Sequence, residues 1–145
     1  MKKIDKQQLR DLILNGISSE ELNSKYDYSK IIDMSQMFKN CTNLKTVPLF
    51  DTSKVTAMSC MFENCTNLKT VPLFNTSNVI NMSHIFYSCA SLKEIPLLDI
   101  SKVNYINSMF KYCISLEHLS IKHPDLDFKC INSPKLIENQ PEDFI

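Results

Sequence analysis

Apolar and polar positions along this chain repeat with a fixed period of 24 residues. The stretch MFKNCTNLKTVPLF begins at Met37, and MFENCTNLKTVPLF begins at Met61 with one residue changed. Two further copies begin at Ile85 and Met109, and a partial copy, DYSKIIDMS, begins at Asp27. A constant period of this length is typical of a stacked repeat array, in which each unit buries its apolar face against its neighbours.

Within one repeat the apolar pattern changes from helix-like to strand-like. In the second copy, apolar residues recur at offsets of three and four over residues 55–68, which predicts a short helix. Val71 and Leu73 then lie two residues apart, which is the period of a strand. The residue between them is a proline in three copies, namely Pro48, Pro72 and Pro96. Because proline cannot donate to a ladder, only two or three paired residues per repeat are expected.

The two ends of the chain depart from the repeat. Residues 1–26 predict a helical N-terminal cap, with an amphipathic helix over 2–15 that ends near Gly16. Ser18 and Glu21 then have the spacing of a capping box. Residues 27–122 form the repeat array, and 123–145 are expected to be an irregular C-terminal cap and tail. The predicted fold class is an α/β repeat, a short solenoid of about four 24-residue coils.

The repeat resembles the BspA-like leucine-rich repeats, and most closely the surface-protein repeats of mycoplasmas and low-GC Gram-positive bacteria. Over residues 27–121 it carries the aromatic–x–x–Cys–x–x–Leu–x–x–Ile/Val core, represented by Phe62, Cys65, Leu68 and Val71. The resemblance implies a leucine-rich-repeat solenoid with short parallel strands on one side and helices on the other. It also implies a module for adhesion or protein binding, of a kind that is usually secreted.

Composition excludes several classes of partner. Sixteen basic and sixteen acidic residues balance, which removes the electrostatic reason to expect nucleic acid or an anionic membrane. Gly16 is the single glycine, so no glycine-rich phosphate loop is possible. The N-terminal segment lacks the apolar core of a signal peptide, and no apolar run is long enough to span a membrane. A cytoplasmic location is therefore expected, or the host cytoplasm if a phage encodes the chain.

The residues capable of chemistry do not form a catalytic or metal-binding motif. Four cysteines occupy equivalent positions, which favours packed, reduced thiols over disulfides or zinc. They are Cys41, Cys65, Cys89 and Cys113, while Cys60 and Cys130 lie outside this set. None of the three histidines, at 84, 118 and 123, lies in a known nucleophile motif. One carboxylate per repeat is too few for calcium. Neither a cofactor nor a metal is expected, and the chain is predicted not to be an enzyme.

A binding face is predicted from the strand segment VPLF. Strict alternation would turn Val47 and Leu49 inward and Phe50 outward. Phe74 is then the central anchor of an exposed apolar column, although the same phenylalanines could instead complete the core. The predicted partner-binding residues are Tyr26, Phe50, Phe74, Leu98, Glu94, His118 and Lys122. Equivalent lysines at 45, 69 and 93 are interpreted as a solvated face, and the side containing Lys39, Glu63, Tyr87 and Lys111 is the alternative binding surface.

The function expected from these observations is that of a monomeric, non-catalytic protein-binding module. It would act inside the cell as an inhibitor or adaptor, of the kind that a phage or mobile element carries, by occupying the surface of a partner protein. The alternative is a fragment of a secreted or cell-surface adhesin of the BspA-like type.

Overall fold

The computed structural model describes residues 1–119 and residue 121 of the chain. Its helices and strands lie within the first 27 residues: β1 (Lys2–Lys3), α1 (Lys6–Leu14), α2 (Ser19–Lys25) and β2 (Tyr26–Asp27). β1 and β2 pair in parallel as a two-stranded sheet. The predicted C-terminal cap, residues 123–145, lies outside the described residues.

The N-terminal helix begins later than the sequence pattern predicts. Asp5 caps α1 by accepting the Gln8 N–H, and the Gln8 side chain accepts the Asp5 N–H, so the two residues form a capping box. Ser18 caps α2 by accepting the Glu21 N–H. The Glu21 carboxylate pairs instead with Lys25, at 2.7 Å. Between the helices, Gly16 has a φ of 82°, the left-handed conformation that commonly ends a helix.

From Asp27 onward, successive 24-residue segments lie side by side. We call them coils 1 to 4, beginning at residues 27, 51, 75 and 99. Single parallel bridges join the coils at equivalent positions: Asp33 to Ala57, Ala57 to Asn81, and Asn81 to Tyr105. Around each bridge, four alternate amides of one coil donate to four alternate carbonyls of the next, over 2.8 to 3.1 Å. In coil 2 the donors are Met58, Cys60, Phe62 and Asn64, and the acceptors are Asn81, Ser83, Ile85 and Tyr87.

The prediction of a helix in each coil is wrong. The intervening amides donate to carbonyls three residues back within the same coil, as from Met61 to Met58 and from Cys65 to Phe62. Cys60 and Asn64 have φ values of 56° and 60°, and equivalent residues in the other coils are also left-handed. The segment is therefore a chain of tight turns with left-handed third residues. An α-helix would direct every amide along its own axis and leave none for the neighbouring coil.

The predicted strand segments form fewer backbone hydrogen bonds between coils than expected. Backbone bonds across this side join the Lys69 amide to the Lys45 carbonyl, at 2.9 Å, and the Glu117 amide to the Lys93 carbonyl, at 2.8 Å. A single parallel bridge pairs Glu94 with His118. The described part of this side thus has isolated contacts where a ladder of two or three residues per coil was predicted.

Stacked aromatic rings form the centre of the core. Phe38, Phe62, Phe86 and Phe110 are at most 1% exposed, and their rings are nearly parallel. The distances between successive ring centroids are 5.4, 5.7 and 5.9 Å. Each phenylalanine fills the space between the equivalent residues of its neighbours, so one coil cannot bury its apolar set alone.

The cysteines at equivalent positions connect the same coils. The thiols of Cys65, Cys89 and Cys113 donate to the carbonyls of Phe38, Phe62 and Phe86, over 3.0 to 3.1 Å. These three cysteines are buried, as predicted, whereas Cys41 in coil 1 is only partly buried. All five described cysteines are free thiols, and Cys130 lies outside the described residues.

Two cationic side chains of α1 complete the first coil. Inside the array, the Ser59 and Met61 carbonyls accept amides from the preceding coil, but coil 1 has no preceding coil. At the equivalent positions, Lys6 Nζ donates to the Ser35 carbonyl at 2.6 Å, and Arg10 Nε donates to the Met37 carbonyl at 2.8 Å. The N-terminal cap thus supplies hydrogen-bond donors to an edge that would otherwise leave its carbonyls without protein partners.

Replacing Phe62 with alanine should destabilise the protein by about 3–5 kcal/mol, because the neighbouring coils cannot collapse into the cavity. That is a large share of the roughly 5–15 kcal/mol typical of a whole domain. Urea unfolding monitored by circular dichroism measures the change. Leu73→Ala is the control, since its side chain is 63% exposed and should change stability by less than about 0.5 kcal/mol. Equal losses in the two variants would contradict the stacked core.

Replacing Arg10 with methionine should cost about 1–3 kcal/mol, because the Met37 carbonyl loses its donor while the aliphatic part of the side chain is retained. Thermal and urea unfolding check this value. Gln7→Met, on the exposed side of α1, is the matched control, because it removes only an exposed hydrogen bond within the helix, from Gln7 to Asp11. A stability loss for Arg10→Met no larger than for Gln7→Met would mean that the cap does not act through this hydrogen bond.

Candidate functional site

The apolar column predicted to face outward is buried. Phe50, Phe74 and Leu98 are 2%, 4% and 5% exposed, so the expected orientation is wrong. Their rings and methyl groups extend the core: Phe74 lies 5.2 Å from the Phe50 ring and 6.3 Å from the Phe62 ring. These residues complete the core, which is the alternative that the sequence left open.

The exposed apolar column is formed by the leucine that immediately precedes each of Phe50, Phe74 and Leu98 in the chain. Leu49, Leu73 and Leu97 are 52%, 63% and 68% exposed, and we call them the leucine column. In coil 2 the Phe74 amide donates to the Pro72 carbonyl at 2.9 Å, which closes a three-residue turn centred on Leu73. This turn breaks the strand alternation and exchanges the sides of Leu73 and Phe74. The Pro–Leu dipeptide was the available signal, because proline often begins a turn.

The remaining predicted site residues are spread over the surface. Tyr26 is half-buried in β2, beside β1. Glu94 and His118 are exposed, and a parallel backbone bridge joins them across coils 3 and 4. Lys122 lies outside the described residues. The structure therefore does not gather the predicted residues into one patch.

A lysine column runs parallel to the leucine column. Lys45, Lys69 and Lys93 are exposed, in agreement with a solvated face, and each lies four residues before one of the leucines. None of the three forms an ion pair with a residue that the structure describes. Lys69 and Lys93 line an open surface groove together with Glu94 and His118. Glu117 lines the same groove, so this side of the molecule combines exposed leucines with charged side chains of both signs.

On the alternative surface, polar and aromatic groups contact one another. Lys39 forms an ion pair with Glu63 at 3.1 Å. The Tyr87 and Tyr112 rings meet edge to face at 5.3 Å, and the Lys111 ammonium lies 5.3 Å from the centre of the Tyr112 ring. Because these groups are already partnered, the surface offers less unmatched charge to another protein.

The described residues do not converge on a reactive centre. No group of three or more histidine, cysteine or acidic side chains in residues 1–119 and 121 could hold a metal ion. The carboxylates of Asp51 and Asp99 accept the amides of Ser53 and Ser101, so they stabilise turns. Neither described helix is long and apolar enough to cross a membrane.

Raised pKa values keep the thiols of Cys60, Cys65, Cys89 and Cys113 protonated in the physiological range. Burial raises the pKa of Cys65 and of Cys113 to about 12. Burial also raises the pKa of the partly buried Cys60 to about 11, with a further contribution from the hydrogen bond and negative charge of Glu63. Since the thiolate is the reactive form, the described thiols with raised pKa values are poor nucleophiles.

Cys60 should react about a hundredfold more slowly with a thiol reagent at pH 8 than an ordinary exposed cysteine. Its labelling rate should rise about tenfold per pH unit toward a pKa of about 11. Peptide mapping by mass spectrometry separates Cys60 from the other cysteines. Glu63→Gln should lower the Cys60 pKa and accelerate labelling at pH 8. A rate that levels off near pH 9 in the unaltered protein would contradict this account.

Comparison with known protein families identifies the family of this chain. The model of a family described as "Mycoplasma protein of unknown function, DUF285" matches residues 8–123. No curated protein and no solved structure shows significant similarity to the chain. The matched segment contains α2, most of α1 and the four coils, and it covers more than half of the chain. The chain therefore belongs to the DUF285 family of Mycoplasma proteins of unknown function.

Proposed function

We propose that this chain is a non-catalytic protein-binding module and that the leucine column is the centre of its binding face. We further propose that it is a leucine-rich-repeat solenoid of the BspA-like type, in which tight turns replace the usual helices. The observation that carries the function is the position of Leu49, Leu73 and Leu97, each more than half exposed and aligned on three hydrogen-bonded coils.

The physical argument is that a rigidly held, exposed apolar column loses little conformational entropy when a partner binds it. Aligned apolar side chains on a soluble protein often mark an interaction surface. Bonds between the coils hold the backbone on both sides of the leucines, so less conformational entropy is lost when a partner binds. Adjacent lysines would then favour partners of complementary charge.

The proposed role is that of an inhibitor or adaptor that covers a partner's surface inside a cell, which for a phage-encoded chain would be the host cell. A surface adhesin is the second candidate, supported by the resemblance of the repeat to BspA-like surface-protein repeats. The two candidates share the binding face and differ in where the partner resides.

Leu73→Lys should weaken binding of the natural partner by at least about 2 kcal/mol, or roughly thirtyfold, because it places a charge at the centre of the apolar column. Affinity capture from cells of the source organism with the tagged full chain, followed by titration of the captured protein, measures the loss. The melting temperature should remain nearly unchanged, since Leu73 is 63% exposed.

Ile80→Lys is the matched control, because Ile80 is 43% exposed and precedes the bridge position Asn81, away from the leucine column. It introduces the same charge and should leave binding intact. If both variants bind normally, the leucine column is not the binding face. Surface labelling and fractionation of the source cells then separate the two candidates, because an adhesin must be accessible outside the cell.

A further inference from the structure

We propose that the N-terminal edge of the stack carries a second binding site, which receives an extended segment of a partner protein at Ile32 and Asp33. The segment adds to the row of parallel bridges that joins the coils, in the position that a coil preceding coil 1 would take. This site is separate from the leucine column and does not depend on the role proposed for that column. Three observations carry it: three internal copies of the same junction, unpaired backbone groups in coil 1, and a groove beside them.

The junctions between coils show how this edge holds an extended segment. At the first junction, the Thr56 amide donates to the Ile32 carbonyl at 2.8 Å, and the Ala57 carbonyl accepts the Met34 amide at 2.9 Å. The equivalent bonds at the next two junctions measure 2.8 to 2.9 Å. Three residues of the preceding coil are therefore sufficient: the first provides a carbonyl, the second is the bridge partner, and the third provides an amide.

Coil 1 presents the same edge without an occupant. The Ile32 amide and the Asp33 carbonyl form no hydrogen bond with any residue that the structure describes, whereas their equivalents in coils 2 to 4 are all bonded. The N-terminal cap does not reach this pair, because Lys6 donates instead to the Ser35 carbonyl farther along the coil. One donor and one acceptor thus remain in the arrangement that pairs with an added strand.

A groove beside these two backbone groups gives a segment room to lie. Its volume is about 580 Å³, within the range of about 300–1,000 Å³ that is usual for ligand sites. Residues 3–6, from the end of β1 to the start of α1, line one side, and residues 30–33 of coil 1 line the other. The Ile32 side chain is 54% exposed, while Ile4 and Ile31 are buried. The groove therefore offers an apolar contact next to the unpaired amide and carbonyl.

The charges around the groove balance. Three lysines and three aspartates line it, namely Lys3, Lys6, Lys30, Asp5, Asp27 and Asp33. The three carboxylates accept the backbone amides of Gln8, Ser29 and Ser35. Backbone pairing and the contact with Ile32 therefore select the segment, in place of an acidic or a basic sequence. Its affinity should change little with added salt.

The internal junctions also set the direction and the first side chain of the segment. It runs parallel to coil 1, as all three internal bridges do. Its first residue lies over Ile32 as Ile32 lies over Thr56, which favours a β-branched apolar side chain there. The amide of its middle residue points away from coil 1, because alternate residues of a parallel strand bond to opposite neighbours.

Selection from displayed random peptides of about eight residues, within the usual length of a strand, tests the inference. The library is first depleted against the Ile32→Lys protein and then selected on the unaltered full chain. In NMR spectra, an enriched peptide should shift the Ile32 amide signal and slow its hydrogen exchange at least about tenfold. Ile80→Lys places the same charge at the equivalent position of coil 3, and Leu73→Lys alters the leucine column. Both variants should bind the peptide as the unaltered chain does.

Methylation of one peptide amide at a time gives a second readout that leaves the protein unchanged. Methylating the amide that donates to the Asp33 carbonyl should weaken binding at least about tenfold, whereas methylating the amide before it should have less than about a twofold effect. Fluorescence anisotropy measures both affinities. The melting temperature of Ile32→Lys should match that of the unaltered chain, since this side chain is more than half exposed.

Several results would overturn the inference. They are the absence of any peptide that survives depletion against a folded Ile32→Lys protein, unchanged exchange of the Ile32 amide in the complex, and equal effects of methylation at every position. Peptides that bind as helices by circular dichroism, or that lose binding in Leu73→Lys, would also assign the interaction to another site and reject this one.

Discussion

Hydrogen bonds between the coils are the constraint on which the rest of this structure depends. In the turn segment of each inner coil, alternate amides donate to the next coil, while the amides between them close turns within the coil. This division leaves no amides for an α-helix and requires left-handed residues at fixed positions, such as Cys60 and Asn64. The same bonds place every residue directly beside its equivalents, which allows four phenylalanine rings to stack in one core.

The same geometry creates an edge wherever the stack begins. Inside the array the carbonyls of the turn segment accept amides from the preceding coil, but coil 1 has no preceding coil. Burying its carbonyls without a hydrogen-bond donor would be costly in free energy. α1 resolves this with long cationic side chains, because Lys6 and Arg10 reach the Ser35 and Met37 carbonyls from a helix that cannot itself continue the stack. α2 satisfies the Leu49 backbone in a similar way, because Ser19 Oγ accepts the Leu49 N–H and Asn23 Nδ2 donates to the Leu49 carbonyl. The cap is therefore a set of matched donors and acceptors as well as an apolar cover.

Stacking also concentrates surface properties into columns. A residue type that recurs every 24 positions becomes a continuous line on the surface, so one exposed leucine per repeat yields an apolar ridge and one lysine yields a charged one. Neither column would be notable as single residues, since scattered exposed leucines and lysines are common on proteins. Their alignment gives this side of the molecule a continuous apolar line beside a line of lysines.

The sequence by itself determined the period, the inward position of the repeated phenylalanine and cysteine, and the helical start of the chain. Those features follow from local composition and from self-similarity, which require no knowledge of neighbours in space. Only the tertiary structure decided that residues 55–68 form turns, because an apolar spacing of three and four fits a helix and a chain of tight turns equally well. The choice depends on whether amides bond within the segment or to the next coil.

The orientation of the strand segment was also decided by tertiary structure. From VPLF alone, alternation predicts Leu49 inward and Phe50 outward, whereas the folded chain does the reverse. The Phe50 and Phe74 rings have stacking partners in the core, and the three-residue turn at Leu73 directs the leucine to solvent. The sequence thus located the segment that contains the exposed apolar column but could not decide which of two adjacent apolar columns would be exposed, because that choice depends on contacts between residues one repeat apart.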